Sequence, residues 1–234
     1  MPDDTHFWLA LAEIVWINIL LSGDNAVVIA LACRSLPEEM RKWGILLGVA
    51  PAVVLRIVFT LFVGTLLTVP FLKLIGAALL LWIAVKLMLP EEEDPEHPGA
   101  HHGSLWVAAR TIIVADAVMS LDNVIAIAAA AKGDTVLLVV GLLLSMPMII
   151  FGSALLLRVM ERFPILVTAG AGLLGWIAGE LVLSDPTLQG LADEHNVMIH
   201  EGIPALGAAL VIATGHLLAA QRRRATSPVE ANPD

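Results

Sequence analysis

Two stretches of this 234-residue sequence carry the same unusual set of side chains. Ser22-Gly23-Asp24-Asn25-Ala26 returns as Ser120-Leu121-Asp122-Asn123-Val124, and each copy lies inside a long apolar run. A carboxylate in hydrocarbon costs roughly 2.5–3.5 kcal/mol on insertion scales, so chains keep one where it faces a partner, an ion or a water-filled cavity. Here the cost recurs at matching positions, which points to a paired, membrane-embedded ion site. At 100° per residue, Asn18, Ser22 and Asn25 share one helix face, and Asp116, Ser120 and Asn123 share the corresponding face of the second copy. Asp24 and Asp122 point about 120° away from Asn18 and Asp116 if the helices are regular. Gly23 weakens that regularity in the first copy. A local unwinding at Ser22-Gly23-Asp24 would turn the carboxylate and release backbone carbonyls, as discontinuous helices at ion sites do. Leu121 replaces the glycine in the second copy, which predicts a straighter helix there.

The donors are oxygen-rich: Asp24, Asp116, Asp122, Asn18, Asn25, Asn123, Ser22 and Ser120. Such a set suits a hard or borderline divalent cation such as Mn, Mg or Ca. It lacks Cys and His, which argues against Zn or Cu. The expected metal-binding residues are Asp24, Asn25, Asp116, Asp122 and Asn123. Asn18, Ser22, Gly23, Ser120, Met119 and Glu13 are further candidates for ligands or for the path. Met119 is the one soft donor and lies about 60° from Asp116 on the wheel; the commoner role for such a residue is packing. Glu13 shares a face with Asp24. Arg56 sits deep in an apolar run and needs an acidic partner.

These residues require long apolar elements to hold them. The chain is 58% apolar and 15% charged, with a mean hydropathy of +0.86, too apolar for a soluble domain of this length. Seven hydrophobic spans are expected, at about 7–32, 43–67, 71–89, 105–131, 136–157, 163–183 and 202–220. Period-2 alternation is absent, so the fold class is all-α: a polytopic membrane protein with seven transmembrane helices. The sequence divides into one membrane domain over 1–220, with a polar loop at 90–104 and a tail at 221–234. The N-terminus opens Met-Pro-Asp-Asp and does not read as a cleaved signal peptide. Cys33 is the single cysteine, which excludes an intrachain disulfide.

The duplication reaches beyond the acid motif. Pro51 matches Pro147 and Gly48 lies near the position of Gly141. Pro70, Gly76, Ala77 and Trp82-Ile83-Ala84 match Pro164, Gly170, Ala171 and Trp176-Ile177-Ala178. Repeat one therefore covers about 7–89, repeat two about 105–183, and a C-terminal helix about 202–220 follows. Three spans per repeat invert the second copy, which places the site at the repeat interface. Lys and Arg fall mainly on one side if the N-terminus is outside and the C-terminus cytoplasmic, with Lys73 and Lys132 left on the outer side. Trp8, Trp43 and Trp106 sit near span ends, as interfacial anchors do. His97, His101 and His102 share the 90–104 loop with an acidic run, and read either as a weak metal collector or, more simply, as a solvated linker.

No catalytic constellation is present: no Gly-x-Ser-x-Gly, no P-loop, no His-Glu-x-x-His. The expectation is a protein that is not an enzyme, with no cofactor beyond a transported cation. Without a nucleotide motif, transport would draw on an ion gradient or the membrane potential.

Ser22-Gly23-Asp24-Asn25-Ala26 and Asp116-Ala117-Val118-Met119-Ser120-Leu121-Asp122-Asn123 resemble the TerC family of integral membrane proteins, in its short form, over about 7–220. The resemblance places the chain with LysE-type transporters built from two three-span repeats. It implies manganese export across the bacterial cytoplasmic membrane, with the intramembrane acids as ligands. The family's name suggests a tellurium oxyanion, but an acidic, oxygen-lined site repels anions. The expected partners are a divalent metal cation as substrate and the lipid bilayer, without nucleic acid; an oligomer or a partner protein stays open. Proton antiport is the expected compensation for charge, with Glu13 or Asp116 cycling. The alternative is a membrane scaffold or assembly factor in a metal- or tellurite-stress complex, in which the acids hold helices together.

Overall fold

The computed structural model describes residues 4–66, 68–89, 104–131, 134–188 and 197–226. Among these residues the fold is all-helical. The helices are α1 (Asp4–Leu20), α2 (Gly23–Cys33), α3 (Glu38–Leu61), α4 (Val63–Leu66), α5 (Leu72–Met88), α6 (Leu105–Ala131), α7 (Thr135–Arg162), α8 (Ile165–Leu183) and α9 (Val197–Thr226).

Five of them, α3 and α6 to α9, are individually long and apolar enough to cross a membrane. The pair α1 and α2 passes the same test together, bent by 51°, giving up to six spans among the described residues. The expected third span, α5, has 17 residues, at the short end of the spanning range, and is not among those that pass. The first expected span is thus the bent pair, and the break falls at Leu21 and Ser22, one step before the expected unwinding. The equivalent stretch of α6 runs straight through Ser120 to Asn123, as Leu121 predicts. Helix α9 continues to Thr226, into the segment read as tail. The loop carrying His97, His101 and His102 lies outside the described residues.

Packing follows a regular scheme. Helix α3 lies on α6, α1 and α2 lie on α7, and α5 lies on α8, which also carries α9. Glycines allow these approaches. A Cβ at Gly48 would sit 2.6–2.8 Å from atoms of Ile112. One at Gly141 would collide with Ile14, the residue that the acid-motif alignment matches to Ile112. Gly76 faces Val118, while its counterpart Gly170 faces Val27. Between α8 and α9, Gly175 meets the Gly207 backbone and Gly179 meets Pro204, the close small-residue contact by which membrane helices associate.

Apolar side chains are widely exposed on the outer surface, among them Trp8, Trp43, Trp106, Phe151 and Leu217. Lipid, not water, is the solvent that suits such a surface. Near the ends of α5 and α8 the matched tryptophans hold matched charges one turn on. Lys86 Nζ lies 5.2 Å from the Trp82 ring centre, and Trp176 Nε1 donates to Glu180 Oε1 at 2.9 Å.

Helix α5 begins under constraint. Phe71 has φ of 63°, a left-handed conformation uncommon for a side chain of this size. Asp185, just beyond α8 and fully buried, accepts from the Leu74 N–H at 3.3 Å and the Thr187 N–H at 2.9 Å. Its carboxylate satisfies an orphan donor at the N-terminus of α5, acting as a cap supplied from another helix.

Candidate functional site

The polar side chains of the first span and of α6 converge on Arg56 of α3, which is 2% exposed. Its Nη2 donates to Asp116 Oδ1 at 2.5 Å. Its Nη1 donates to Asn18 Oδ1 at 2.9 Å and to Ser22 Oγ at 3.3 Å. Its Nε donates to Ser120 Oγ at 3.0 Å. Four of the five guanidinium N–H groups are therefore matched to oxygens, in a fork that a lysine could not reproduce. Ser120 Oγ also donates to Asp116 Oδ2 at 3.3 Å, so both oxygens of that carboxylate are engaged. Asn18 Nδ2 donates to Ser145 of α7, whose hydroxyl donates to Leu142 O at 2.7 Å. That chain fixes the Asn18 amide with its oxygen toward Arg56.

The wheel paired Asn18 with Asp116 and Ser22 with Ser120, and those four residues are the ones gathered here. Ser22 is placed to cap α2, yet makes no side-chain cap bond. Its hydroxyl accepts from Arg56 instead.

The break itself rests on a substitution of donors. In an unbroken helix the Asn25 N–H would reach Leu21 O. Here it donates to Asp24 Oδ1 at 2.7 Å, and Asn123 Nδ2 reaches across to Leu21 O at 3.2 Å. Sequence reasoning expected the freed carbonyl to face a cavity; a side chain of the second motif occupies it. Asp24 is half-buried and within electrostatic reach of both Arg56 and Asp116. Asn25 is 2% exposed, and among the described residues neither its Oδ1 nor its Nδ2 has a hydrogen-bond partner. A buried amide normally has one, so an orphan asks for a water or a ligand.

Asp122 lies in a second cluster. It pairs with Lys73 of α5 and accepts from Ser184 Oγ at 3.3 Å. Its side chain is 41% exposed, whereas that of Asp116 is 13% exposed. Lys73, assigned by sequence to the outer-side charge, is a buried residue of α5. Among the described residues no three His, Cys, Asp or Glu side chains gather as a metal site. Asp24 and Asp116 are within electrostatic reach of each other; Asp122 belongs to the Lys73 pair. Met119 is buried in the apolar core, which favours its packing role, and Glu13 is exposed on α1.

A bent span, charged residues paired inside apolar helices and a lipid-suited exterior define a multi-pass integral membrane protein. The chain matches the integral membrane protein TerC family over residues 3–225, and it belongs to that family. It is 42% identical over 206 residues to the uncharacterized membrane protein YjbE of Bacillus subtilis, covering 88% of this chain and 93% of the relative. It is 24% identical over 213 residues to the uncharacterized membrane protein YkoY of the same organism, covering 83% of this chain and 65% of the relative. The inner membrane protein YoaE of Escherichia coli is 26% identical over 182 residues, covering 70% of this chain but 35% of that protein. No solved structure matches the chain.

Proposed function

We propose that this protein is a secondary transporter that exports a divalent metal cation, with Mn(II) as the favoured cargo, across the bacterial cytoplasmic membrane. The observation that carries the reading is the convergence at the helix break. Asp24 and the orphaned amide of Asn25 follow directly on the point where α1 and α2 part, with Asp116 within electrostatic reach of Asp24. Intramembrane acids beside a discontinuous helix are the usual material of an ion site. Asp116 and Asp122 are neutralised by Arg56 and Lys73. The residual negative charge is that of Asp24, so cargo would enter beside Asp24 and Asn25. Oxygen donors favour Mn, Mg or Ca over softer ions.

The architecture we infer has seven spans, counting α5, with two inverted repeats and α9 added. Exchange of contacts between the repeats supports it: Ile14 on Gly141 against its match Ile112 on Gly48, with the matched glycines Gly76 and Gly170 each meeting a valine of the other repeat. The Lys and Arg bias supports an outside N-terminus and a cytoplasmic C-terminus. Alternating access would come from one repeat moving against the other. Export against an inside-negative potential costs about 2.3 kcal/mol per charge per 100 mV, which proton antiport would offset.

A second reading is favoured by the two ion pairs themselves: a membrane scaffold or assembly factor in a metal- or tellurite-stress complex, with Arg56–Asp116 and Lys73–Asp122 clamping helices. Purified protein in liposomes separates the two. Mn(II) flux, with Ca, Mg and Zn as competitors, is the expected result. Vesicles that pass no divalent cation under any gradient would leave the scaffold standing.

A further inference from the structure

We propose that Arg56 is a tethered cation that competes with cargo for Asp116 and lets the carrier return without cargo. This rests on the transport reading above and assigns a part to a residue outside the expected ligand set. The guanidinium is 2% exposed and makes its hydrogen bonds to Asn18, Ser22, Asp116 and Ser120. Those four residues are two matched pairs from the polar faces of the two repeats. Arg56 thus occupies the oxygen set that an oxygen-seeking divalent cation would take. Asp116 has Oδ1 engaged by Arg56 and Oδ2 by Ser120, so a metal that ligates this carboxylate while the fork is in place must share it with a guanidinium that repels it.

Arg56 has no basic counterpart at the matching position of the second repeat. At the matching level of α7, the chain near Pro147 carries Gly152 and Ser153 and no basic residue. A buried guanidinium needs acceptors beyond its one carboxylate, and Arg56 draws them from both motif hydroxyls and an amide whose orientation is fixed from α7. Cargo arriving at Asp24 and Asn25 repels the guanidinium from the neighbouring Asp116 and takes its oxygens. When cargo leaves, Arg56 re-forms the pair. Asp116 then never crosses the apolar interior as an unpaired charge, a state costing several kcal/mol. Without Arg56 the cargo-free return step is the one that suffers, whereas a half-cycle with cargo bound in both directions is spared.

The test compares, in the same proteoliposomes, net Mn(II) flux down its gradient with exchange of radioactive for unlabelled Mn(II). Arg56→Gln is expected to lower the ratio of net flux to exchange by about tenfold or more. Arg56→Lys, which keeps the charge but not the fork, is expected to recover much of that ratio. A ratio in Arg56→Gln equal to that of the wild type overturns the proposal, as does loss of both modes in equal proportion. Wild-type vesicles silent in both modes overturn the transport reading itself, a distinct result. A second measurement needs no variant. Mn(II) is expected to raise phenylglyoxal modification of Arg56 in the wild-type protein several-fold, read by peptide mass spectrometry. Modification insensitive to Mn(II) overturns the displacement of Arg56.

Discussion

Asn123 donates its side-chain amide to the Leu21 carbonyl at 3.2 Å, so the second acid motif holds open the helix break in the first. The carbonyl needs that donor because its helical partner, the Asn25 N–H, bonds Asp24 Oδ1 instead. One contact thereby fixes the bend and the Asp24 carboxylate together. Asn123→Leu removes the donor and leaves a carbonyl without its partner in an apolar setting, at a cost of about 1–3 kcal/mol. A lowered melting temperature in detergent is the expected outcome. Asn123→Asp, which cannot donate when ionised, should do no better than leucine. A wild-type melting temperature in both variants would show that Leu21 O has another donor.

The glycine contacts predict a pair of matched couplings. Gly48→Ala places a methyl 2.6–2.8 Å from Ile112 atoms, which overpacks the α3–α6 contact by about 1–3 kcal/mol. Ile112→Ala in the same chain should relieve much of it. Gly141→Ala with Ile14→Ala should behave alike across α7 and α1. Double-mutant cycles read by thermal unfolding give the coupling, and additive effects in both cycles would mean these contacts are not the close ones.

Long-period features were legible in the sequence, and side-chain partnerships were not. Apolar length placed the five long helices and the bent pair, and α6 came out as expected because neither glycine nor proline interrupts Leu105 to Ala131. Gly23 gave away the broken span, since glycine beside an acid in hydrocarbon has few other uses. The helix wheel also brought Asn18, Ser22, Asp116 and Ser120 to one place, because helical periodicity survives tertiary packing. Arg56 was visible as a charge needing a partner, but the partner lies on another helix and local spacing carries no trace of it. Lys73 was harder. It stands two residues after Phe71, near a span end, where a charged residue is ordinarily solvated. Only the docking of α5 on α8, capped by Asp185, turns it inward to Asp122.

That cap has a pH signature. Burial would raise the Asp185 pKa, but hydrogen bonds from the Thr187 hydroxyl and N–H, and from the Leu74 and Phe71 N–H groups, outweigh it and hold the carboxyl below its ordinary value. A depressed carboxylate contributes stability above the unfolded pKa and loses it as pH falls through the folded one. The stability gap between wild type and Asp185→Asn should be full at pH 7, shrink as pH falls below about 4, and vanish once Asp185 is protonated in the folded protein. Loss of the cap should cost about 0.5–2 kcal/mol at neutral pH. Chemical denaturation of both proteins across that range checks the sign, and a gap that widens on acidification contradicts it.

The two motif acids should now be told apart. Among the described residues Asp24 forms no salt bridge, whereas Asp122 pairs with Lys73. Asp24→Asn therefore removes the negative charge offered to cargo and breaks no ion pair. It should lower Mn(II) tolerance in a deletion strain by about tenfold or more in the concentration tolerated, while membrane protein level and melting temperature stay near wild type. Asp122→Asn strands the buried Lys73 ammonium and should lower stability before any transport is considered, by less than a fully buried pair would because the Asp122 side is partly exposed. Removing the stranded charge as well, in Lys73→Met with Asp122→Asn, should restore the fold. Tolerance in that double variant then reports on Asp122 as a ligand. Recovery to wild-type tolerance would assign Asp122 to the frame of the protein and leave Asp24 and Asp116 as the acids that hold cargo.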